Sequence, residues 1–272
     1  MTKNLDNEGL RSVVENYDLF FVDLWGVVHN GIKLNKNAIE TLVEISKAKK
    51  NYVLLTNAPR PNNTVKKFLA KMGMDKSILE KVYTSGEASL NYLKKNHFKD
   101  KFFHIGPPRD FDLFLDFKNN KKENINDCSY FLCTGLFDKH DQDLNYYKEL
   151  LNKFISKKMI CTNPDLIVDR GEKREFCAGS VAMIFEKMGG QVVYFGKPFP
   201  EVYNQAMDNN KKKILAIGDN FNTDIKGANN MNYDSMIIAN GIHKEEIQKE
   251  GIDKVSKNYE VTVNFIQSEL KW

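Results

Sequence analysis

A chain of 272 residues, 42% hydrophobic and 28% charged, is long enough for one large domain or two modest ones with a real apolar core. Its net charge of +4 comes from scattered lysines, which leaves no strong case for a nucleic-acid or membrane partner. No stretch reaches the roughly 20 apolar residues of a membrane span, and the N-terminus MTKNLDNEGL lacks the apolar segment of a signal peptide, so a cytoplasmic protein is expected. Cys128, Cys133, Cys161 and Cys177 match no zinc spacing and are expected as reduced, packed thiols.

Strand-like apolar runs alternate with helix-length amphipathic segments from end to end. YDLFFVDLW leads to AIETLVEISKAKK, NYVLLTNA to NTVKKFLAKMG, and KVYTS to GEASLNYLKK. Runs this apolar suit strands covered on both faces, and the alternation predicts an α/β fold with a parallel sheet. The middle of the chain repeats the theme. FFHIG, YFLCTGLF and MICTNPDLIV read as strands, YYKELLNKFISKK and SVAMIFEKMGG as helices, and DFDLFLDFKNNKKENIND as surface connection. The last third returns to clean units: VVYFG, PEVYNQAMD, ILAIGD, NTDIKGANN and SMIIAN.

Four signals lie at the C-terminal ends of predicted strands, where ligands bind in open α/β sheets. Asp23 follows DLFFV, Thr56 and Asn57 follow YVLL, Lys197 follows VVYFG, and Asp219 and Asp224 follow ILAI. Singly, each has a plain explanation as a cap, a turn residue or a solvated charge. Together they form a coherent chemistry. A carboxylate at a strand tip can attack an electrophile and form a covalent intermediate. A lysine, a hydroxyl and a metal supply the charge stabilisation that phosphoryl transfer needs. Asp23, Asp219 and Asp224 brought together cannot all ionise comfortably without a cation, and hard oxygen ligands favour Mg²⁺.

The ordered set DLWGV, TN, GKP and GDNFNTD resembles the four motifs of the haloacid dehalogenase (HAD) superfamily, most closely its NagD-like members with a class IIA cap. The resemblance covers nearly the whole chain, including the TNAPR loop and the GKPFPEVY segment. It implies a Rossmann-like core from residues 1–85 and 192–272, with an inserted α/β cap at 86–191. It implies a phosphatase acting on a small phosphorylated metabolite, with a homodimer also open. By the same carry-over Asp23 is the nucleophile, Thr56 binds the phosphoryl group, and Lys197 steadies both. Asp219, Asp224 and the backbone carbonyl of Trp25 would hold Mg²⁺. CTNPD resembles a cap loop that faces the active site, which puts Asn163 and Asp165 with Asn57 among the expected substrate-binding residues. An Asn-Pro-Asp turn is the plain alternative.

Trp25 departs from the family pattern, since phosphatase members carry an aspartate there that protonates the leaving group. Indole can only donate its N–H and does not titrate. General acid–base catalysis usually supplies 10²–10⁴ in rate, roughly 3–5 kcal/mol. Three readings therefore stand at this point: a Mg²⁺-dependent phosphatase with altered proton transfer, a phosphometabolite-binding module with weak or no turnover, and a haloacid dehalogenase. His29 is the nearest side chain that titrates near neutrality and the candidate for a replacement acid.

Overall fold

The computed structural model describes residues 2–170, 173–207 and 212–272. Its strands, in chain order, begin with β1 (Lys3–Asn4), β2 (Leu19–Val22), β3 (Asn51–Thr56) and β4 (Val82–Thr84). The middle supplies β5 (Phe102–Ile105), β6 (Tyr130–Cys133), β7 (Lys158–Cys161), β8 (Ile167–Arg170), β9 (Lys173–Phe176) and β10 (Gln191–Tyr194). β11 (Ile214–Gly218), β12 (Asp234–Ile238) and β13 (Phe265–Gln267) complete the set.

Two compact units form. The first comprises the chain up to Thr56, Lys66–Tyr83 and Lys197–Trp272. It carries a seven-stranded sheet in the order β1-β13-β12-β11-β2-β3-β4. β2 is apolar and buried at all its positions, as a strand inside a parallel sheet should be. It pairs in parallel with β11 on one side and β3 on the other.

The second unit comprises Asn57–Val65 and Thr84–Gly196. Its parallel sheet runs β10-β7-β6-β5, and β8 and β9 form a separate antiparallel pair. Phe131, Met159, Tyr147, Val181 and Phe185 are fully buried in its core. All four cysteines are buried free thiols of this unit. No helix among the described residues is long and apolar enough to cross a membrane.

The α/β fold expected from the alternation is present, with four local differences. β10, which straddles the boundary expected at residue 192, pairs with β7 in the four-stranded sheet, and the second unit runs to Gly196. DFDLFLDFKNN lies in a run of tight helical turns, Pro108–Asn120, kinked at Phe114 and Phe117, that buries Leu113, Phe114 and Phe117. Phe114 and Phe117 pack edge-on against Phe102 of β5, which is why it does not run over the surface. The helix expected across YYKELLNKFISKK stops at Leu151 and tightens into a short turn, Asn152–Phe154. MICTNPDLIV is two strands, because Pro164 follows an asparagine whose side chain closes a turn: Asn163 Oδ1 accepts the Asp165 N–H at 3.0 Å.

Candidate active site

Parallel pairing in register builds the site. Val22 of β2 lies opposite Ile217 of β11, and the Asp23 N–H donates to the Ile217 carbonyl at 2.8 Å. Asp23 and Asp219, the residues just beyond those strands, therefore leave the sheet side by side. Asp224 comes from the helical turn Phe221–Ile225, which Asn220 caps by accepting the Asn222 N–H. The Asn220 N–H in turn donates to Asp224 Oδ2 at 3.2 Å and points that carboxylate back at the strand end. Oxygens from Asp23, Asp219 and Asp224 all lie within 4.8 Å of one another, and all three side chains are buried.

Lys197 bridges two of them. Its Nζ donates to Asp23 Oδ1 at 2.5 Å and to Asp224 Oδ1 at 2.7 Å. Burial alone would pull the ammonium down, but the charges of Asp224 and Asp23 and their hydrogen bonds hold it above the usual lysine range. Asp219 has the opposite problem. Burial, and then the charges of Asp23 and Asp224, push its carboxyl well above the usual carboxylate range.

Glycines make the crowding possible. A Cβ on Gly26, whose φ is +83°, would sit 2.0 Å from Asp219 Oδ2. One on Gly241 would sit 2.2 Å from the same side chain, and the neighbouring Ile242 N–H donates to Asp219 Oδ2 at 3.0 Å. One on Gly218 would sit 2.0 Å from Asp224 Cγ. Sequence reasoning missed these three roles, although Gly26 and Gly218 lie inside motifs it did use, DLWGV and GDNFNTD, and Gly241 directly follows the strand segment SMIIAN.

The donor set fits a divalent cation. Among the described residues, three buried carboxylates face the one ammonium of Lys197, and oxygen-only ligands suit Mg²⁺ rather than zinc.

Thr56 closes β3 and is buried, and Asn57 is the first residue of the second unit. Asn57 is hydrogen-bonded to Asp165, with Nδ2 donating to Oδ1 at 3.0 Å, so these two expected site residues do meet. Asn163 forms the turn beside them.

The loop after Asp23 is knit around Trp25. The Gly26 N–H donates to the His29 carbonyl at 2.8 Å. The rings of Trp25 and His29 meet edge to face at 5.0 Å, and a Cβ on Gly31 would lie 2.7 Å from Trp25 Cζ2. His29 is not placed as an acid. It is buried, its Nδ1 accepts the Gly31 N–H at 2.9 Å, and burial lowers its pKa to about 4. A neutral ring serving as a packing partner replaces the expected proton donor.

Comparison with known proteins agrees with this geometry. A family model described as haloacid dehalogenase-like hydrolase matches residues 20–117, and a second, HAD-hydrolase-like model matches 194–262. A haloacid dehalogenase-like hydrolase of Brucella suis 1330 superposes with a TM-score of 0.79. It is 32% identical, over 87% of this chain and 90% of that one. The chain belongs to the haloacid dehalogenase-like hydrolases. Among curated HAD relatives, phosphoglycolate phosphatase 2 of Arabidopsis thaliana is 22% identical over 94% of this chain and 93% of its own. An acid sugar phosphatase of Staphylococcus epidermidis is 24% identical over 88% and 93%. The HAD-like membership thus spans both units.

Proposed function

We propose that this HAD-like hydrolase is a phosphatase for a small phosphorylated metabolite, working through an aspartyl phosphate on Asp23 with Mg²⁺ as cofactor. One observation carries the reading: Lys197 joins Asp23 to Asp224 while Asp219 stands within 4.8 Å, all of them buried, with Asp23 and Asp219 just beyond the neighbouring strands β2 and β11. The phosphatase names of the curated relatives support it.

Asp23 attacks phosphorus as the bond to the leaving oxygen breaks, and water then cleaves the aspartyl phosphate to release inorganic phosphate and free Asp23. Lys197, which donates to Asp23 Oδ1, keeps that carboxylate aimed, and Thr56 offers its hydroxyl to a phosphoryl oxygen. Asp23, Asp219, Asp224 and the Trp25 carbonyl would hold Mg²⁺, which supplies charge stabilisation for the transferring phosphoryl group. Trp25 supplies no titratable group, and burial holds the His29 ring well below the usual imidazole range. The proton needed by the leaving group therefore comes from elsewhere, and activated esters are the preferred substrates.

A phosphometabolite-binding module with weak turnover is the second reading, and Trp25 is the residue that favours it. The dehalogenase reading loses support because a halide leaving group gives the buried acidic cluster no task.

A panel of phosphate esters with wild type and Asp23→Asn, each with and without Mg²⁺, tests the proposal. Mg²⁺-dependent phosphate release that disappears in Asp23→Asn is the expected result. Tight binding of a phosphate ester without release points to the binding module. Release that persists in Asp23→Asn overturns the covalent route.

A further inference from the structure

Asn57, Asn163 and Asp165 are engaged with the protein itself. Asn57 and Asp165 are joined across 108 positions of sequence. Gly196, with φ of +119°, is pressed onto the same place: a Cβ there would lie 2.6 Å from Asn57 Oδ1 and 2.6 Å from Pro164 Cδ. Asn57 directly follows Thr56, and Gly196 directly precedes Lys197. The chain segments that lead to the two phosphate-holding residues thus meet on one loop, Asn163–Pro164–Asp165.

That loop is stiff. The Asp165 carbonyl accepts the Gly179 N–H at 3.1 Å, and the Leu166 carbonyl accepts the Cys177 N–H at 2.9 Å and the Ser180 hydroxyl at 2.6 Å. Before it, the Thr162 carbonyl accepts the Ser85 hydroxyl at 2.6 Å. A Cβ on Gly179 would lie 2.2 Å from the Pro164 carbonyl oxygen, so the helix Ala178–Lys187 is seated directly against the turn.

We propose that this loop is a brace and Asn57 a positioning residue: by holding Asn57 and Gly196 together, Asp165 and Pro164 set how Thr56 and Lys197 present themselves to the phosphoryl group. Asn57, Asn163 and Asp165 then act through Thr56 and Lys197 and make no contact with the leaving group. The inference rests on the phosphatase reading. Its physical basis is the steep dependence of rate on placement, where about 1 Å of error costs on the order of 10²-fold.

The test is a double-mutant cycle of Asn57→Ala and Asp165→Ala, with Asp165→Asn as the conservative variant. It is read on p-nitrophenyl phosphate and on glycerol phosphate, and by calorimetry with inorganic phosphate. The brace predicts that each alanine variant lowers kcat by about 10- to 100-fold on both esters, with KM within about twofold. The double variant is no worse than either single one. Asp165→Asn keeps the Oδ1 acceptor and stays within about threefold of wild type. Additive losses, losses in KM that differ between the two esters, or a full loss in Asp165→Asn overturn it. So does a lower melting temperature with unchanged kcat. If Asn57→Ala does not fold, the contrast between Asp165→Ala and Asp165→Asn decides. Wild type that binds phosphate without turnover sinks the phosphatase reading alone, and the brace is then judged on phosphate affinities. Wild type that neither turns over nor binds phosphate overturns both.

Discussion

Gly26 and Asp219 share one space: the missing Cβ of Gly26 is the room that Asp219 Oδ2 occupies, 2.0 Å from where that carbon would be. Gly26→Ala should therefore displace a proposed metal ligand and strain a φ of +83° at the same time. Turnover should fall on the order of 10²-fold, and the Mg²⁺ concentration for half-maximal activity should rise. Titrating activity against Mg²⁺ in wild type and variant checks this. An unchanged Mg²⁺ requirement would show that Asp219 is not a ligand.

Lys197→Met removes the cation from a buried cluster of carboxylates. Breaking a buried ion pair at one end usually costs about 3–5 kcal/mol, mostly for the charges left behind. The variant should be inactive and should melt well below wild type in the absence of metal. Added Mg²⁺ should raise its melting temperature more than that of wild type, since the cation then answers charge that nothing else does. Equal Mg²⁺ responses would argue that Lys197 and the metal do not share ligands.

Trp25→Asp puts a titratable group into the loop after Asp23, the proposed nucleophile. Turnover of an alkyl phosphate relative to p-nitrophenyl phosphate should rise about tenfold or more, within the 10²–10⁴ that acid–base catalysis usually supplies. A ratio that stays flat would mean that the proton already has an efficient source. His29→Asn belongs to the same experiment. It should leave the shape of the pH–rate profile unchanged while lowering the melting temperature, because the ring acts by packing against Trp25 and Phe68.

Asp110 carries a pH dependence of stability within the second unit. Burial raises its carboxyl to about 6, offset in part by Thr134, Arg109 and Arg60 and reinforced by Asp112. The folded state thus holds this proton between about pH 4 and 6, where the unfolded state has lost it. Stability from this group falls as pH rises through that window, and the cost is fully present above about pH 6. Asp110→Asn should flatten the decline, raising stability at pH 7–8 by on the order of 2 kcal/mol and leaving pH 4 unchanged. Denaturant midpoints at several pH values measure it. A uniform offset at every pH would mean that packing, not charge, is responsible.

The strand-end carboxylates were legible because each follows an apolar run that could only be a buried strand, and neighbouring parallel strands deliver their ends to one place. Lys197 was legible only as a lysine after an apolar run; β10 before it lies in the other sheet, and nothing local says that its amine reaches both Asp23 and Asp224. VVYF was legible as a strand but is equally suited to either parallel sheet, and only its pairing with β7 gives its place. The bond from Asn57 to Asp165 and the neutrality of His29 depend on contacts distant in sequence or on burial depth, which residue type alone does not encode. Pro108–Asn120 was hidden by its charged positions, while Leu113, Phe114 and Phe117 supplied the buried face.

The meeting of Asn57 with Gly196 also bears on how the molecule is assembled. Lys197 and Asp23 are 174 positions apart, and bringing them together from an open chain is opposed by loop entropy that grows only logarithmically with length. In the folded chain Asn57 lies against Gly196, so the ends of that long excursion are neighbours. With them joined, the effective loop closed by β2 with β11 is far shorter than the sequence between those strands.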